Sequence, residues 1–322
     1  MKIVVIGLGS MGKRRIRLLQ ELYPDYVILG VDGRTDRREE VEERLHIACY
    51  DDISNLNESV DCAFICTSPL SHASIITKCL SNGWHVFTEL NLVDDAYESN
   101  MKLAMEKGCK LFLSSTFFYR EEIKYIRTKI TQDVKWNYIY HIGQYLPDWH
   151  PWENYKDFFI GEQRTNGCRE IMAIELPWLI ETFGEVRKTH VLSDKMTDLN
   201  IGYHDNFMIQ ISHENGNKGI LVVDVVSPYA VRKLEAYAEE RYLCWDGTPE
   251  SLRVLNHSSG LLEKVSLNEE TEHREGYKEF IVENAYKNEI QEFFKVVLEN
   301  KSPLYGFEKD QKILKLIDSL GA

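Results

Sequence analysis

The sequence predicts an α/β protein in two parts: a doubly wound parallel sheet over residues 1–120, then a second α/β domain over 121–322 with a large, mostly antiparallel open sheet. From Lys2 to about Ser115, short β-branched runs alternate with amphipathic helical stretches, the pattern of βαβ units. Beyond Ser115 the rhythm changes to strand runs separated by turn residues, as in an antiparallel sheet. A chain of 322 residues is also long for one core, since domains usually hold about 100 to 200.

The parallel strands are predicted at Lys2–Ile6, Tyr26–Val31, Ile47–Tyr50, Asp61–Cys66, His85–Thr88 and Lys110–Ser114. Helical spacing links Ile16, Leu19 and Tyr23, and again Ile75, Ile76, Cys79 and Leu80, where Gly83 supplies a stop. A helix over Glu121–Ile130 leads to a strand over Val134–Ile142 and then to an irregular stretch, Gln144–Gly167, rich in Tyr, Trp, Pro and Asp. Strands follow at Asn206–His213, Lys218–Val226, Lys233–Ala238, Arg241–Asp246 and Ser251–Asn256. Two helices, Tyr277–Glu299 and Phe307–Leu320, close the chain.

A net charge of -13 repels phosphate backbones and anionic membrane surfaces, so nucleic acid and membrane are not expected partners. No run approaches the roughly 20 apolar residues of a membrane span, and Ile3–Ile6 is too short for a signal-peptide core, so the expected location is cytoplasmic. The seven cysteines are odd in number, scattered and mostly in apolar runs, and read as buried thiols. Cys62 and Cys66 share one face of a strand, a spacing that does not suggest metal ligands, and no metal is expected.

Gly7-Leu8-Gly9-Ser10-Met11-Gly12 follows the first strand and opens a helix, and Asp32 ends the next strand about 20 residues on. Gly7 permits a tight turn, Gly9 lets the backbone approach a pyrophosphate, and Gly12 lets helix and strand pack closely. The N–H groups at Ser10 and Met11 face the phosphates with the positive end of the helix dipole. The combination reads as a Rossmann dinucleotide site. Asp32 can accept from both adenosine ribose hydroxyls, which favours NAD; Arg34, followed by Arg37 and Arg38, could bind a 2′-phosphate and makes NADP the alternative.

Cys66-Thr67-Ser68-Pro69-Leu70-Ser71-His72 and Gly83-Trp84-His85-Val86-Phe87-Thr88-Glu89 resemble the Gfo/Idh/MocA oxidoreductases, and the resemblance runs through Tyr145–Pro151 to the closing helices. It implies cofactor contacts from Thr67, Ser68, His72 and Glu89. It also implies a sugar-like small-molecule substrate, and a second-domain sheet that pairs with another copy in a homodimer or homotetramer. That pairing face is expected to carry Phe207, Ile209, Ile211, Leu221, Val223 and Val225.

The family's Glu-Lys-Pro motif is replaced here by Glu89-Leu90-Asn91, and its Asp, His and Asp positions on a second-domain helix align with Ile171, Ile174 and Pro177. Leucine, isoleucine and proline side chains cannot exchange a proton. A one-residue shift of that alignment brings Glu170 onto the first Asp position, with Glu175 nearby. His150 and Tyr119 are the leading titratable substitutes, with His141, Tyr145 and Tyr155 behind them. The sequence thus predicts an NAD(P)-dependent oxidoreductase with a non-standard or absent proton relay. The alternative is a dinucleotide-binding sensor or partner subunit without dehydrogenase activity.

Overall fold

The structure, a computed structural model, describes residues 1–56, 59–149, 154–267 and 282–322. The first part runs β1 (Lys2–Ile6), α1 (Ser10–Leu22), β2 (Val27–Val31), α2 (Thr35–Leu45), β3 (Ala48–Tyr50), β4 (Cys62–Ile65), α3 (Pro69–Ser81), β5 (His85–Thr88), α4 (Tyr97–Lys107) and β6 (Leu111–Leu113). The second begins with α5 (Glu121–Lys129), β7 (Asn137–Gly143), α6 (Gly167–Phe183) and β8 (Val186–Asp194). It continues through β9 (Asn206–His213), β10 (Lys218–Asp224), β11 (Val231–Ala238), β12 (Arg241–Trp245), β13 (Arg253–Asn256) and β14 (Leu261–Lys264). Helices α7 (Glu283–Leu298) and α8 (Phe307–Leu320) close the chain. The predicted start of α7 at Tyr277 lies outside the described residues. No helix among the described residues is long and apolar enough to cross a membrane.

The chain packs as two compact units, Met1–Ser115 with Tyr286–Lys312 and Thr116–Ala285 with Ile313–Ala322. Chain order alone assigned both closing helices to the second part, whereas packing places Tyr286–Lys312 with the first. The reason is visible in α7. Phe293 stands edge-on to Phe64, Phe87 and Phe112 with ring centroids 5.2 to 5.7 Å apart, and Phe294 meets Tyr23 at 4.6 Å. Aromatic pairs in this geometry each add about 0.5 to 1.5 kcal/mol beyond their burial.

In the first unit all six strands are parallel in the order β3-β2-β1-β4-β5-β6. The order reverses between β1 and β4, so the loops leaving those two strands flank the crevice where such sheets bind ligands. Helix α1 turns an apolar stripe of Gly12, Ile16 and Leu19 inward, and Arg15 lies in the same stripe with no solvent exposure. Its Nε donates to Glu89 Oε1 at 2.6 Å, and its Nη2 donates to Glu289 Oε2 at 2.7 Å and to Ser114 Oγ at 3.3 Å. The guanidinium also lies 4.6 Å from the Phe87 ring centroid and 5.1 Å from that of Tyr286.

The second unit holds a mixed eight-stranded sheet, β14-β13-β12-β11-β7-β10-β9-β8, in which β7 and β10 are parallel and the other described pairs antiparallel. The two edge strands, β8 and β14, escape the sequence pattern because neither buries a residue: β8 is mostly polar or charged, and the two leucines of β14 are exposed. Helix α6 packs on the inner face against β9 and β10. That corrects the expected pairing face: Phe207, Ile209, Ile211, Leu221, Val223 and Val225 are all buried. The opposite face instead exposes Ile139, Leu192, Met208 and Ile220, with Ile220 registered on Ile139 and Leu192 on Met208.

Replacing Arg15 by Met leaves Glu89 and the wholly buried Glu289 without their shared cation. Removing one partner of a buried ion pair typically costs about 3 to 5 kcal/mol. A loss of that size is expected in urea unfolding of Arg15→Met, and a loss under about 1 kcal/mol would refute the role given to this residue.

Candidate active site

The loop after β1 has the shape its glycines imply. Gly7 has φ +93°, and a Cβ there would lie 2.7 Å from the Cys66 backbone; one on Gly12 would lie 1.9 Å from the Gly7 carbonyl oxygen. These two glycines are required by the protein's own packing. Gly9 is different: a Cβ there would meet nothing nearer than the Arg37 guanidinium, at 3.6 Å. The space over Gly9 is therefore not filled by backbone and fits an approaching pyrophosphate. Helix α1 begins beside it with no side-chain cap and no acidic residue in its first turn, so its N-terminal dipole is left for an anion. Ser10 is exposed and Met11 half-buried at this helix start.

Asp32 closes the other side of the loop. Its Oδ2 accepts from the Leu8 N–H at 2.8 Å and its Oδ1 from the Arg34 N–H at 2.9 Å, which orients the carboxylate while leaving lone pairs for ribose hydroxyls. The Arg34 side chain turns to Asp36 at 2.6 Å in solvent, whereas Arg37 lies 3.6 Å from Asp32 Oδ2 and against Gly9. Arg38 is held by the Asp32 carbonyl and Thr35. Of the three arginines, Arg37 is the one whose side chain reaches both Gly9 and the Asp32 carboxylate, whereas sequence order alone had put Arg34 forward.

After β4, Ser68 is exposed at the start of α3, and Thr67 Oγ1 accepts from Ser71 Oγ at 2.7 Å. His72 is buried with its Nδ1 2.6 Å from Asn91 Oδ1 and its Nε2 2.9 Å from the Thr67 carbonyl. Burial lowers its pKa, against hydrogen bonds that favour the charged ring. With both nitrogens engaged, His72 shapes the turn that carries Thr67. Glu89 directly follows β5, its carboxylate held by Arg15 and approached by the Cys66 thiol at 3.9 Å. Burial raises the Cys66 pKa well above that of a free thiol. Leu90 follows, half-buried.

The second unit carries a cavity of about 180 Å³ between α6 and the inner face of the sheet, lined by Ile142, Trp149, Glu170, Ile171, Ile174 and Arg232 among others. Two of the three α6 positions read as apolar replacements, Ile171 and Ile174, therefore line it, and Pro177 does not. Glu170 adds the carboxyl. Its Oε2 is buried without a hydrogen-bond partner among the described residues, and burial pushes its pKa up to about 7. Glu175, one turn along, is the opposite case. Its Oε1 accepts from Arg232 Nη2 at 2.8 Å, and its Oε2 accepts from Tyr140 Oη and Trp178 Nε1, each at 2.7 Å.

The other sequence candidates lie elsewhere or cannot be placed. Tyr119 is buried at the end of the 3-10 turn Thr116–Tyr119 and does not line this cavity. His141 stands on the opposite face of the sheet, bonded to Asp224 at 2.7 Å. Tyr155 Oη accepts from the Asn200 N–H at 3.3 Å. His150 lies outside the described residues. Among the described residues no three His, Cys, Asp or Glu side chains are grouped to hold a metal ion.

The sequence model of the oxidoreductase family, NAD-binding Rossmann fold, matches residues 1–115. Over those residues the chain is similar to the NAD-binding domain of the Gfo/Idh/MocA oxidoreductases. Human biliverdin reductase A is 29% identical over 132 residues, which are 40% of this chain and 44% of that protein. Myo-inositol 2-dehydrogenase of Thermotoga maritima is 34% identical over 102 residues, 29% of this chain and 30% of that enzyme. The chain thus matches less than half the length of these curated relatives. A biliverdin reductase from Synechocystis sp. PCC 6803, solved with biliverdin and NADP+, is similar in fold along nearly the whole chain. Its TM-score is 0.76 at 15% identity, covering 99% of this chain and 97% of that one.

Because residues 1–115 match an NAD-binding Rossmann family, the unfilled space over Gly9 sets a direct test. Gly9→Val should abolish NADH binding in a fluorescence titration while the fold persists, and unchanged binding would remove the loop from the cofactor site. Arg37→Ala should lower NADPH affinity about tenfold or more relative to NADH, the scale of a lost charge-assisted hydrogen bond. Arg34→Ala should leave that ratio unchanged, and the reverse pattern would return the phosphate role to Arg34.

Proposed function

We propose that this protein is an NAD(P)-dependent oxidoreductase that transfers a hydride to or from a sugar-like, polyhydroxylated small molecule, with Glu170 exchanging the accompanying proton. The observation that carries the reading is the Glu170 carboxyl, unpartnered at Oε2 in a largely apolar cavity and poised to ionise near neutrality. General acids and bases work best when their pKa lies near the operating pH. The similarity to a myo-inositol dehydrogenase supports a polyhydroxylated substrate.

A dinucleotide held at the Gly7–Gly12 loop and Asp32 would supply or take the hydride. In the reducing direction a carbonyl carbon receives the hydride, its oxygen receives the proton from Glu170, and the carboxylate is reprotonated from water. The reverse direction uses the ionised carboxylate as base. Ile171 and Ile174, which line the cavity, then serve to exclude water and hold the substrate.

Burial raises the Glu170 pKa, so the acid form predominates below about 7 and is lost above it. Reductive kcat/KM should therefore fall as pH rises through about 7. Glu170→Gln should remove that ionisation and lower turnover by about 10² or more. Tyr119→Phe and His150→Gln should retain it, and loss of the ionisation in either of those variants would transfer the role. If a panel of sugars, sugar acids and imines gives no nicotinamide absorbance change with the native protein, the binding-only reading replaces this one.

The same reading includes assembly into a homodimer or homotetramer through the outer sheet face. Exposed Ile139, Met208 and Ile220 form an apolar patch across β7, β9 and β10. Contiguous patches of this kind mark interaction surfaces. Light scattering should show a multiple of 37.6 kDa, reduced to the monomer by Ile220→Glu with Met208→Glu; a native monomer at micromolar concentration would refute it.

A further inference from the structure

Arg232, the second residue of β11, lines the same cavity. Its Nε and Nη2 both donate to one oxygen, Glu175 Oε1, at 3.1 and 2.8 Å, so Nη1 lies outside the pair. The guanidinium is fixed in place, 4.9 Å from the Phe117 ring centroid, and Glu175 is itself fixed by Tyr140 and Trp178. An arginine so immobilised loses little freedom on binding a second acceptor, and its planar fork matches the geometry of a carboxylate. The protein already contains one such arrangement, since Arg15 bridges Glu89 and Glu289 in the first unit.

We propose that the substrate carries a carboxylate, and that Arg232 anchors it in the cavity beside Glu170. The inference rests on the reading that this cavity receives the substrate. Its volume of about 180 Å³ is on the order of six water molecules' share of liquid, enough for a carboxylate and the carbons next to it. The walls of Ile142, Ile171, Ile174 and Trp149 lower the local dielectric, which strengthens the pairing of the incoming anion with Arg232. Glu170 does not oppose it while protonated, and its acid form can donate to the substrate's oxygen. The arginine sets which molecule enters, and the glutamic acid handles the proton.

The test compares gluconate with glucitol, which share a polyhydroxylated skeleton and differ at the carboxylate. Calorimetric titration of the whole protein with NADH present forms unreactive complexes, because neither probe has a carbonyl to reduce. Gluconate should bind about ten- to a hundredfold more tightly than glucitol, the range of a charge-assisted pair. Arg232→Gln should erase that preference. Because this variant strips Glu175 of its cation, the double variant Arg232→Gln with Glu175→Gln removes both charges together; it should also lose the preference while retaining NADH binding. Equal affinity for the two probes in the native protein, or gluconate preference surviving in the double variant, overturns the proposal. Selective gluconate binding without hydride transfer on any substrate would refute the oxidoreductase reading and leave this one standing. Turnover of neutral polyols with no gluconate preference would do the reverse.

Discussion

A guanidinium with no access to water must find its partners inside the protein, and Arg15 imposes that requirement on the dinucleotide-binding unit. Burial works against its charge, and the coulombic pull of Glu89 and Glu289 more than offsets this, so it stays ionised. Meeting the requirement brings four segments to one point: α1, Glu89 just after β5, Ser114 just after β6, and α7 at Glu289. Glu289 also accepts from the Ser115 N–H at 2.7 Å, which ties the last residues of the first parallel segment to a helix more than 170 positions away. Burial raises the Glu289 pKa, Arg15 opposes this, and Glu89 adds to it. The helix that opens at the Gly7–Gly12 loop is therefore anchored at its middle by the carboxylate that follows β5.

The second unit uses its two neighbouring glutamates in opposite ways. Glu175 is saturated with donors from Arg232, Tyr140 and Trp178, and its position is over-determined. Glu170 lies five residues earlier on the same helix with a buried oxygen that nothing among the described residues engages. A saturated carboxylate is suited to holding a cation still, and an unsatisfied one in an apolar wall is suited to changing its protonation. Such divergence between adjacent acids is common where one protein must both bind and transfer a proton.

Much of the architecture was legible because it follows from local periodicity. β1, β5, β9 and α8 fall where alternation or helical spacing puts them, and the Gly7–Gly12 loop with Asp32 is a mechanical signature readable in one dimension. Edge strands β8 and β14 were not legible, since neither buries a residue and so neither carries the run of apolar side chains that marks a strand. The pairing face was misread for a related reason: alternation shows that two faces differ, and α6 decides which of them is covered. Arg15 did leave a signal, a charge inside the apolar stripe of α1, three residues after Gly12 and four before Leu19.

The sequence by itself determined a dinucleotide loop, a parallel sheet followed by a mostly antiparallel one, and the absence of proton-exchanging side chains at Leu90, Ile171 and Ile174. Only the tertiary structure decided that Arg37 faces the loop where Arg34 does not, that His72 is committed to its own turn, and that Glu170 rather than Glu175 is left unsatisfied. The physical reason is that glycine sterics and hydrophobic period act between near neighbours in the chain. The ionisation and availability of a polar group depend on which distant donors, such as Arg232 or Arg15, reach it once water has been excluded.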